Sequence, residues 1–279
     1  MDSGRPGALS DGQLADYERL GFLESIPILS ADEVRFFRGE VDRTCRALGG
    51  RVTRFDAAHL AFRWAWDLAT HPRILDCLER LIGPNILLKS TRVFYKYGPS
   101  RSFVGWHQDG ITERIEDAQV PTIWLGLTDA TAENGCLRLV PRSHRLGLIA
   151  HAGRPHPDNL TSAGVTARAE IDSPRDIVMR AGEMSLHHPL VLHGSNPNVS
   201  NGPRIGFSAT YATSAPRESP AAVAWVRGDG PRHDSRMLDG PPGLGFDEAV
   251  AAYRQAGFNI RYDRPQISPT DASSGPNPN

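Results

Sequence analysis

Two short stretches, far apart in the chain, carry the side chains that decide how this sequence is organised: Gly105-Trp106-His107-Gln108-Asp109-Gly110 and His188-Pro189-Leu190-Val191-Leu192-His193-Gly194-Ser195. In the first stretch an imidazole and a carboxylate are two positions apart, so on a strand or at its end both point to the same face. The second stretch ends an apolar run with another histidine. Two imidazoles and one carboxylate can supply the three protein ligands of an iron(II) ion and leave its other coordination positions open.

The composition is that of an ordinary globular protein. The chain has 279 residues, of which 39% are hydrophobic and 23% charged, and its formal net charge is -1. We expect a small-molecule substrate and neither nucleic acid nor membrane as a partner, because there is no basic field and no apolar run of about 20 residues. The oligomeric state is open.

The cysteines indicate the cellular compartment. Cys45, Cys77 and Cys136 are odd in number, scattered and never arranged as C-x-x-C. This pattern argues against a disulfide framework and against a zinc-thiolate site. The N-terminus also lacks the apolar segment of a signal peptide. We therefore expect a soluble, cytoplasmic protein.

Periodicity predicts helices before strands, which indicates an α+β fold that is mainly β. The predicted helices span residues 11–20, 30–48, 71–82 and 246–254. The predicted strands span residues 22–29, 86–97, 122–127, 136–140, 177–179, 184–193 and 205–212. Many short strands in series are typical of an antiparallel sandwich or barrel.

The remaining segments are predicted to be loops and a tail. Residues 151–176 and 214–245 form two long loops, which we expect to supply the substrate pocket. Residues 268–279 are rich in Pro, Ser, Gly and Asn, a composition that predicts disorder. Residues 1–267 are predicted to form a single domain.

A His-x-Asp pair is weak support for a metal site, because such tripeptides also arise by chance. A second pair, His156 and Asp158, occurs in a polar loop, where no function is expected. The pair at 107 and 109 gains weight from Arg204, eleven positions after His193 on what we expect to be the neighbouring strand. Its guanidinium matches a carboxylate bidentately, as a dicarboxylate cosubstrate would require.

With these residues the sequence resembles the phytanoyl-CoA dioxygenase-like branch of the iron(II)/2-oxoglutarate-dependent oxygenases. The resemblance extends from Tyr17 to about Tyr211. It rests on three blocks: Trp106-His107-Gln108-Asp109, Glu133-Asn134-Gly135-Cys136-Leu137-Arg138-Leu139-Val140-Pro141-Arg142-Ser143-His144, and the stretch from His188 through Arg204. The family implies a double-stranded β-helix, or jelly roll, as the core, with N-terminal helices packed on one side.

The resemblance also implies the metal ligands and the reaction. His107, Asp109 and His193 would bind Fe(II), and the enzyme would also use 2-oxoglutarate and O2. Oxidative decarboxylation of 2-oxoglutarate to succinate and CO2 would produce an oxidant that hydroxylates an unactivated carbon of a small metabolite or natural-product intermediate.

The cosubstrate would be held at a second set of residues. Arg204 would anchor the distal carboxylate of 2-oxoglutarate, helped by the hydroxyl of Ser195. Trp124 falls where the family places an aromatic side chain near the cosubstrate, and a purely structural role in the core fits it equally well.

Several alternative activities remain open. The same oxidant can carry out desaturation, cyclisation or epoxidation. A halogenase offshoot of the family has a small residue in place of the carboxylate, so Asp109 disfavours halogenation. A non-catalytic metal-binding jelly roll or a zinc hydrolase would leave Arg204 unexplained.

Four residues are candidates for contact with the substrate. Gln108 lies between two metal ligands, and Arg92 and Tyr95 belong to a strand that we expect to line the mouth of the site. Together with Lys89, Arg92 would make this mouth cationic, which suits an anionic or zwitterionic substrate, although surface exposure explains both cations as well. Alternation along the strand 184–193 would place His187 on the same face as His193.

Overall fold

The computed structural model describes residues 8–111, 120–153, 156–161, 165–213, 222–229, 237–238 and 240–263. Its helices are α1 (Asp11–Leu20), α2 (Ala31–Leu48), α3 (Arg63–Ala69), α4 (Pro72–Ile82) and α5 (Phe246–Gln255). Capping boxes at Ser10 and Ser30 start α1 and α2, and Gly21 and Gly49 end these helices in the left-handed conformation, close to the predicted ranges 11–20 and 30–48. The sequence did not predict α3, whose seven residues have no side-chain cap and are mostly buried.

The strands form two main antiparallel sheets. The larger contains β1 (Phe22–Pro27), β2 (Val52–Asp56), β3 (Ile86–Lys96), β5 (Thr122–Gly126), β10 (Glu183–His187), β12 (Arg204–Ala212), β13 (Ala224–Arg227) and β14 (Ile260–Tyr262). Its order is β1-β10-β5-β12-β3-β2-β14, with β13 also paired to β3. The smaller contains β4 (Val104–His107), β6 (Leu137–Leu139), β9 (Arg175–Ile177) and β11 (His193–Ser195), in the order β4-β11-β6-β9. A separate hairpin pairs β7 (His151–Gly153) with β8 (Val165–Ala167).

The two faces of the large sheet have different environments. One face packs on the helices in the main core, to which β12 contributes Ile205, Phe207, Ala209 and Tyr211. The alternate residues of the same strand, among them Arg204 and Ser208, face the small sheet across a cavity. The mixed α and β architecture with antiparallel sheets is therefore as predicted, and the polar positions of β12 belong to the cavity side.

The strand predicted at 184–193 was wrong. The chain forms β10 in the large sheet, turns at residues 188–192, and continues as β11 in the small sheet. Pro189 has no N–H for a ladder, and the N–H of Val191 donates to the carbonyl of His188 at 2.9 Å, which closes the turn. The strand of Arg204, β12, consequently pairs with β3 and β5 and is not a neighbour of β11.

Parts of the predicted loops are short strands, and parts lie outside the described residues. The segment 151–176 contains β7, β8 and the start of β9, and the segment 214–245 contains β13. The tail predicted at 268–279 lies outside the described residues. Among the helices of the described part of the chain, none is both long and apolar enough to span a membrane.

Candidate metal and cosubstrate site

The side chains of His107, Asp109 and His193 meet in the cavity between the two sheets. Each offers one ligand atom, and these atoms lie within 4.8 Å of one another. The Nε2 atoms of His107 and His193 are each 3.7 Å from Oδ1 of Asp109. His107 is the last residue of β4, Asp109 begins a 3-10 turn, and His193 begins β11 directly opposite His107. The structure thus brings together three residues that are up to 86 positions apart in the chain.

Hydrogen bonds to the backbone orient both imidazoles. Nδ1 of His107 lies 2.8 Å from the carbonyl oxygen of Gly105, and Nδ1 of His193 lies 2.9 Å from that of Val191. Because a carbonyl can only accept, Nδ1 of each ring carries the proton and Nε2 presents its lone pair. The N–H of Gly105 in turn donates to Oδ1 of Asn159 at 3.0 Å, which fixes the strand that carries His107.

The electrostatics suit a divalent metal ion. Burial lowers the pKa of His107 and holds that of His193 well below its usual range, so both rings are neutral and free to coordinate. Burial alone would raise the pKa of Asp109, but the surrounding histidines hold it well below its usual range. Two neutral Nε2 atoms and a carboxylate oxygen form the donor set that iron(II) accepts in a facial triad, so these residues fit the metal.

His187 approaches the triad from the opposite wall. It ends β10, and its Nε2 lies 3.3 Å from Oδ2 of Asp109. We expected this residue near the site because it would share a strand face with His193. That reason was wrong, since the two histidines belong to different sheets. His187 contacts the oxygen of Asp109 that is not shared with His107 and His193, and so orients the carboxylate.

Arg204 lies at the other end of the cavity as a buried guanidinium. Its Nε and Nη2 donate to the carbonyl oxygen of Gly135 at 3.0 and 2.5 Å, and the guanidinium lies 5.0 Å from the ring of Trp124. Arg204 forms no ion pair with a carboxylate of the described residues. The indole of Trp124 lies so close to Gly206 that a Cβ there would be 2.1 Å from the ring. Glycine at 206 therefore allows the indole to line the cavity beside Arg204.

The sequence reasoning missed Lys96, a fully buried ammonium beside Arg204. The two residues are directly opposite each other on β3 and β12. Nζ of Lys96 donates to Oγ of Ser195 at 2.7 Å, to the carbonyl of Gly135 at 3.3 Å and to the carbonyl of Asn196. An ammonium has three N–H donors, and these three acceptors use all of them. Burial lowers the pKa of Lys96 well below its usual range, and the charge of Arg204 adds to this effect.

Gly135, in the Asn-Gly-Cys-Leu block, connects Arg204 and Lys96 through its carbonyl oxygen. Its carbonyl accepts from both Arg204 and Lys96, and its φ of +76° is a conformation that favours glycine. A Cβ at this position would lie 2.3 Å from the carbonyl oxygen of Asn196. This turn therefore places one carbonyl between two buried cations, a role that the block alone did not reveal.

The two candidate substrate residues on β3 lie on opposite faces of the strand. Arg92 lines the cavity, whereas Tyr95, three positions later, lies on the opposite face of β3 and stacks on Tyr97 at 4.2 Å. The expectation that Tyr95 lines the mouth was wrong, because side chains alternate along a strand. Lys89 is likewise absent from the described cavity wall.

Gln108 is fully buried, and its side chain is occupied by the backbone. Nε2 donates to the carbonyls of Gly147 and Leu190 at 2.9 and 2.7 Å, and Oε1 accepts from the N–H of Ile149 at 2.8 Å. These bonds connect two loops to the turn between His107 and Asp109, so the contacts of Gln108 are structural ones, although its side chain borders the cavity. The second His-x-Asp pair closes a separate turn, in which the N–H of Asp158 donates to Nδ1 of His156 at 3.2 Å.

Comparison with known proteins shows the family to which this chain belongs. A family model described as phytanoyl-CoA dioxygenase (PhyH) matches residues 17–206, well over half of the chain. The chain belongs to the phytanoyl-CoA dioxygenase family.

Relatives and solved structures resemble the chain over most of its length. The ectoine dioxygenase of Nocardia farcinica is 26% identical over 234 residues, which are 74% of this chain and 78% of the relative. A solved non-heme monooxygenase, ThoJ in its apo form, is 28% identical with a TM-score of 0.72, covering 87% of this chain and 93% of its own. The epimerase SnoN, solved with Fe3+, alpha ketoglutarate and nogalamycin RO, shares the fold at 24% identity and a TM-score of 0.60, covering 88% of this chain and 96% of its own.

Membership of the phytanoyl-CoA dioxygenase family establishes the class of enzyme. The protein is a non-haem iron(II)/2-oxoglutarate-dependent dioxygenase, and its cofactors are iron(II), 2-oxoglutarate and O2. The triad of His107, Asp109 and His193 in the structure agrees with this class.

Proposed function

We propose that the enzyme hydroxylates an unactivated carbon of a small metabolite or natural-product intermediate. One observation carries the proposal: a single cavity joins the His107, Asp109 and His193 triad to the buried Arg204. In the reaction one atom of O2 enters the product, the other enters succinate, and 2-oxoglutarate loses CO2. A triad without a cosubstrate anchor would not need a guanidinium buried in the same cavity.

The proposed metal ligands are Nε2 of His107, a carboxylate oxygen of Asp109 and Nε2 of His193. Iron(II) bound there, together with 2-oxoglutarate and O2, supplies the oxidant that removes hydrogen from the substrate carbon. The residues themselves hold the metal at a fixed point, and His187 keeps Asp109 in the orientation that leaves one oxygen for the metal. Because Asp109 occupies the third protein position, we propose oxygen transfer and not halogenation.

The proposed cosubstrate anchor consists of Arg204, Ser195 and Trp124, with Lys96 behind them. Two N–H groups of Arg204 are fixed on Gly135, so the remaining ones are positioned to donate to the distal carboxylate of 2-oxoglutarate. Oγ of Ser195 accepts a hydrogen bond from Lys96, which leaves the hydroxyl proton of Ser195 free to donate to the same carboxylate. Lys96 therefore acts as a positioning residue for Ser195.

We also propose a specific fold, a domain organisation and a cellular compartment for the protein. The two facing antiparallel sheets correspond to a double-stranded β-helix, or jelly roll, within a single domain over residues 1–267. The three cysteines are buried free thiols, which supports a reducing compartment such as the cytoplasm.

The reaction is tested by a screen for succinate formation that depends on a small molecule. The enzyme is supplied with Fe(II), 2-oxoglutarate and labelled O2, and offered amino acids, ectoine, small carboxylates and phosphonates. Hydroxylation predicts a product that gains one labelled oxygen atom and keeps its carbon skeleton and double bonds. A product that has lost two hydrogen atoms would show desaturation or cyclisation instead, and addition of oxygen across a double bond would show epoxidation.

A further inference from the structure

Arg92 is a cation of the cavity wall for which the described residues supply no hydrogen-bond or ion-pair partner. It is half-buried on β3, it lines the cavity, and it makes no ion pair or hydrogen bond with another residue of the described ranges. The nearby Arg54 differs, because its Nε and Nη2 are paired with Asp56 at 2.7 Å each and its Nη1 donates to the carbonyl of Leu160. A guanidinium directed into a cavity without a partner is a binding group for an anion.

The strand register separates Arg92 from the proposed cosubstrate anchor. Arg92 is opposite Ser208 of β12, whereas Lys96 is opposite Arg204. Ser208 and Arg204 are four residues apart on one strand, which corresponds to about 13 Å at ~3.3 Å per residue. Trp124 lies on the other side of Ser208, on β5. A cosubstrate held between Arg204 and the metal triad therefore occupies the β12 and β5 side, and Arg92 borders the β3 and β2 side.

Asp56, the carboxylate opposite Arg92 on β2, is paired with Arg54, and the charges of the loaded site also leave Arg92 without a counter-ion. Asp109 and the two carboxylates of 2-oxoglutarate contribute three negative charges. Iron(II), Arg204 and the ammonium of Lys96 contribute four positive charges, so these groups leave no negative charge over for Arg92. The positive charge of Arg92 then faces a cavity whose wall also includes the apolar side chains of Phe94, Ile111 and Leu160. An anionic group on the substrate would neutralise that charge at the moment of binding.

We propose that Arg92 binds a carboxylate or phosphate of the substrate, so that the enzyme acts on anionic or zwitterionic small molecules. The apolar part of such a molecule contacts Phe94 and Leu160, and its anionic group is held beside the metal triad. This inference rests on the proposed function, because it assigns the remaining part of the same cavity. It goes beyond that function by naming the class of substrate and the residue that selects it.

The test uses the enzyme loaded anaerobically with Fe(II) and 2-oxoglutarate. Benzoate, phenyl phosphate and benzamide serve as probes, since they share one ring and differ in charge. Binding is measured by calorimetry and by the change in the iron-to-2-oxoglutarate charge-transfer absorption. We expect at least one of the two anions to bind wild type saturably and about tenfold or more tighter than benzamide. Which anion binds tighter distinguishes a carboxylate from a phosphate substrate.

Two variants on the same strand complete the experiment. Arg92→Gln should weaken anion binding about tenfold, leave benzamide binding unchanged and leave the affinity for 2-oxoglutarate unchanged. The matched variant Tyr95→Phe, on the opposite face of β3, should behave as wild type. The inference is overturned if neither anion binds wild type, if anions and benzamide bind equally, or if Arg92→Gln changes 2-oxoglutarate binding instead. Failure of the proposed function would look different, because the charge-transfer band would then be missing from wild type.

Discussion

Replacing Lys96 with methionine tests the proposed cosubstrate anchor, because 2-oxoglutarate binding should weaken while the stability of the fold should not fall. Methionine has nearly the same shape as lysine without the charge. The variant loses the hydrogen bond that Nζ donates to Oγ of Ser195 and the positive charge beside Arg204. Lys96 acts on the cosubstrate through Ser195 and does not bond to it directly, so the dissociation constant of 2-oxoglutarate should rise by about tenfold, the low end of the roughly 1.5–3 kcal/mol of a charge-assisted hydrogen bond.

The stability of the same variant should not fall. The ammonium of Lys96 is fully buried, its three acceptors are neutral oxygens, and no carboxylate of the described residues pairs with it. Burying a charge without a counter-ion opposes folding, so an apolar side chain of similar volume should leave the free energy of unfolding unchanged or raise it. The carbonyl of Gly135 keeps its bonds from Arg204 in the variant.

The assay has two parts and a matched control. Anaerobic titration of the Fe(II) enzyme with 2-oxoglutarate gives the dissociation constant, and urea unfolding of the metal-free protein gives the stability. Lys89→Met, on the same strand but outside the described cavity wall, should leave the affinity for 2-oxoglutarate unchanged. An unchanged affinity in Lys96→Met would refute the anchoring role, and a loss of several kcal/mol of stability would show that Lys96 serves the fold instead.

Three further predictions concern groups around the site and in the core. Gln108→Leu removes three hydrogen bonds to the backbone and should lower the free energy of unfolding by about 3 kcal/mol in urea titrations. An effect below about 1 kcal/mol would show that the two loops do not depend on this side chain. Gly206→Ala should displace the indole of Trp124 and weaken 2-oxoglutarate binding. Gly202→Ala, where an added Cβ meets nothing, should leave this binding unchanged. Equal binding by the two variants would contradict the role of the contact between Gly206 and the indole. Burial lowers the pKa of His59 to about 3, so the unfolded chain binds a proton between about pH 6.5 and 3 that the folded chain does not, and stability is lost as the pH falls. His59→Gln should reduce that slope by up to about 1.4 kcal/mol per pH unit in unfolding experiments, and an unchanged slope would mean that His59 is protonated in the folded protein.

The convergence of His107 and Asp109 was predictable because its signal is local. His107 and Asp109 are two positions apart, and a strand end directs both to one side whatever the rest of the fold does. The helix ends at Gly21 and Gly49 and the start of α2 at Ser30 were predictable for the same reason, since caps depend on a few neighbouring residues.

The wrong predictions concern features that depend on packing between segments far apart in the sequence. The turn after His187 looked like part of an apolar strand, and only the assignment of β10 and β11 to different sheets shows why the chain must bend there. Tyr95 was placed on the wrong face, although the alternation from Arg92 would have placed it correctly.

Lys96 could not have been found from the sequence. Its acceptors on Gly135 and Ser195 are 39 and 99 positions away, and a lysine at the end of a strand is ordinarily an exposed residue. The carbonyl of Gly135 likewise gains its role only when β12 brings Arg204 to it. Buried cations of this kind are recognised through the structure, because what marks them is the lack of a counter-ion.

Metal and cosubstrate binding at the proposed site are tested by anaerobic addition of Fe(II) and 2-oxoglutarate to the protein, followed by visible absorption spectroscopy. We expect a metal-to-ligand charge-transfer band that needs both additions, because the cosubstrate must chelate the metal held by the triad. The band should be lost in His193→Ala, which removes one of the three proposed ligands. Absence of the band in folded wild-type protein, or its full retention in His193→Ala, would contradict the assignment of the site.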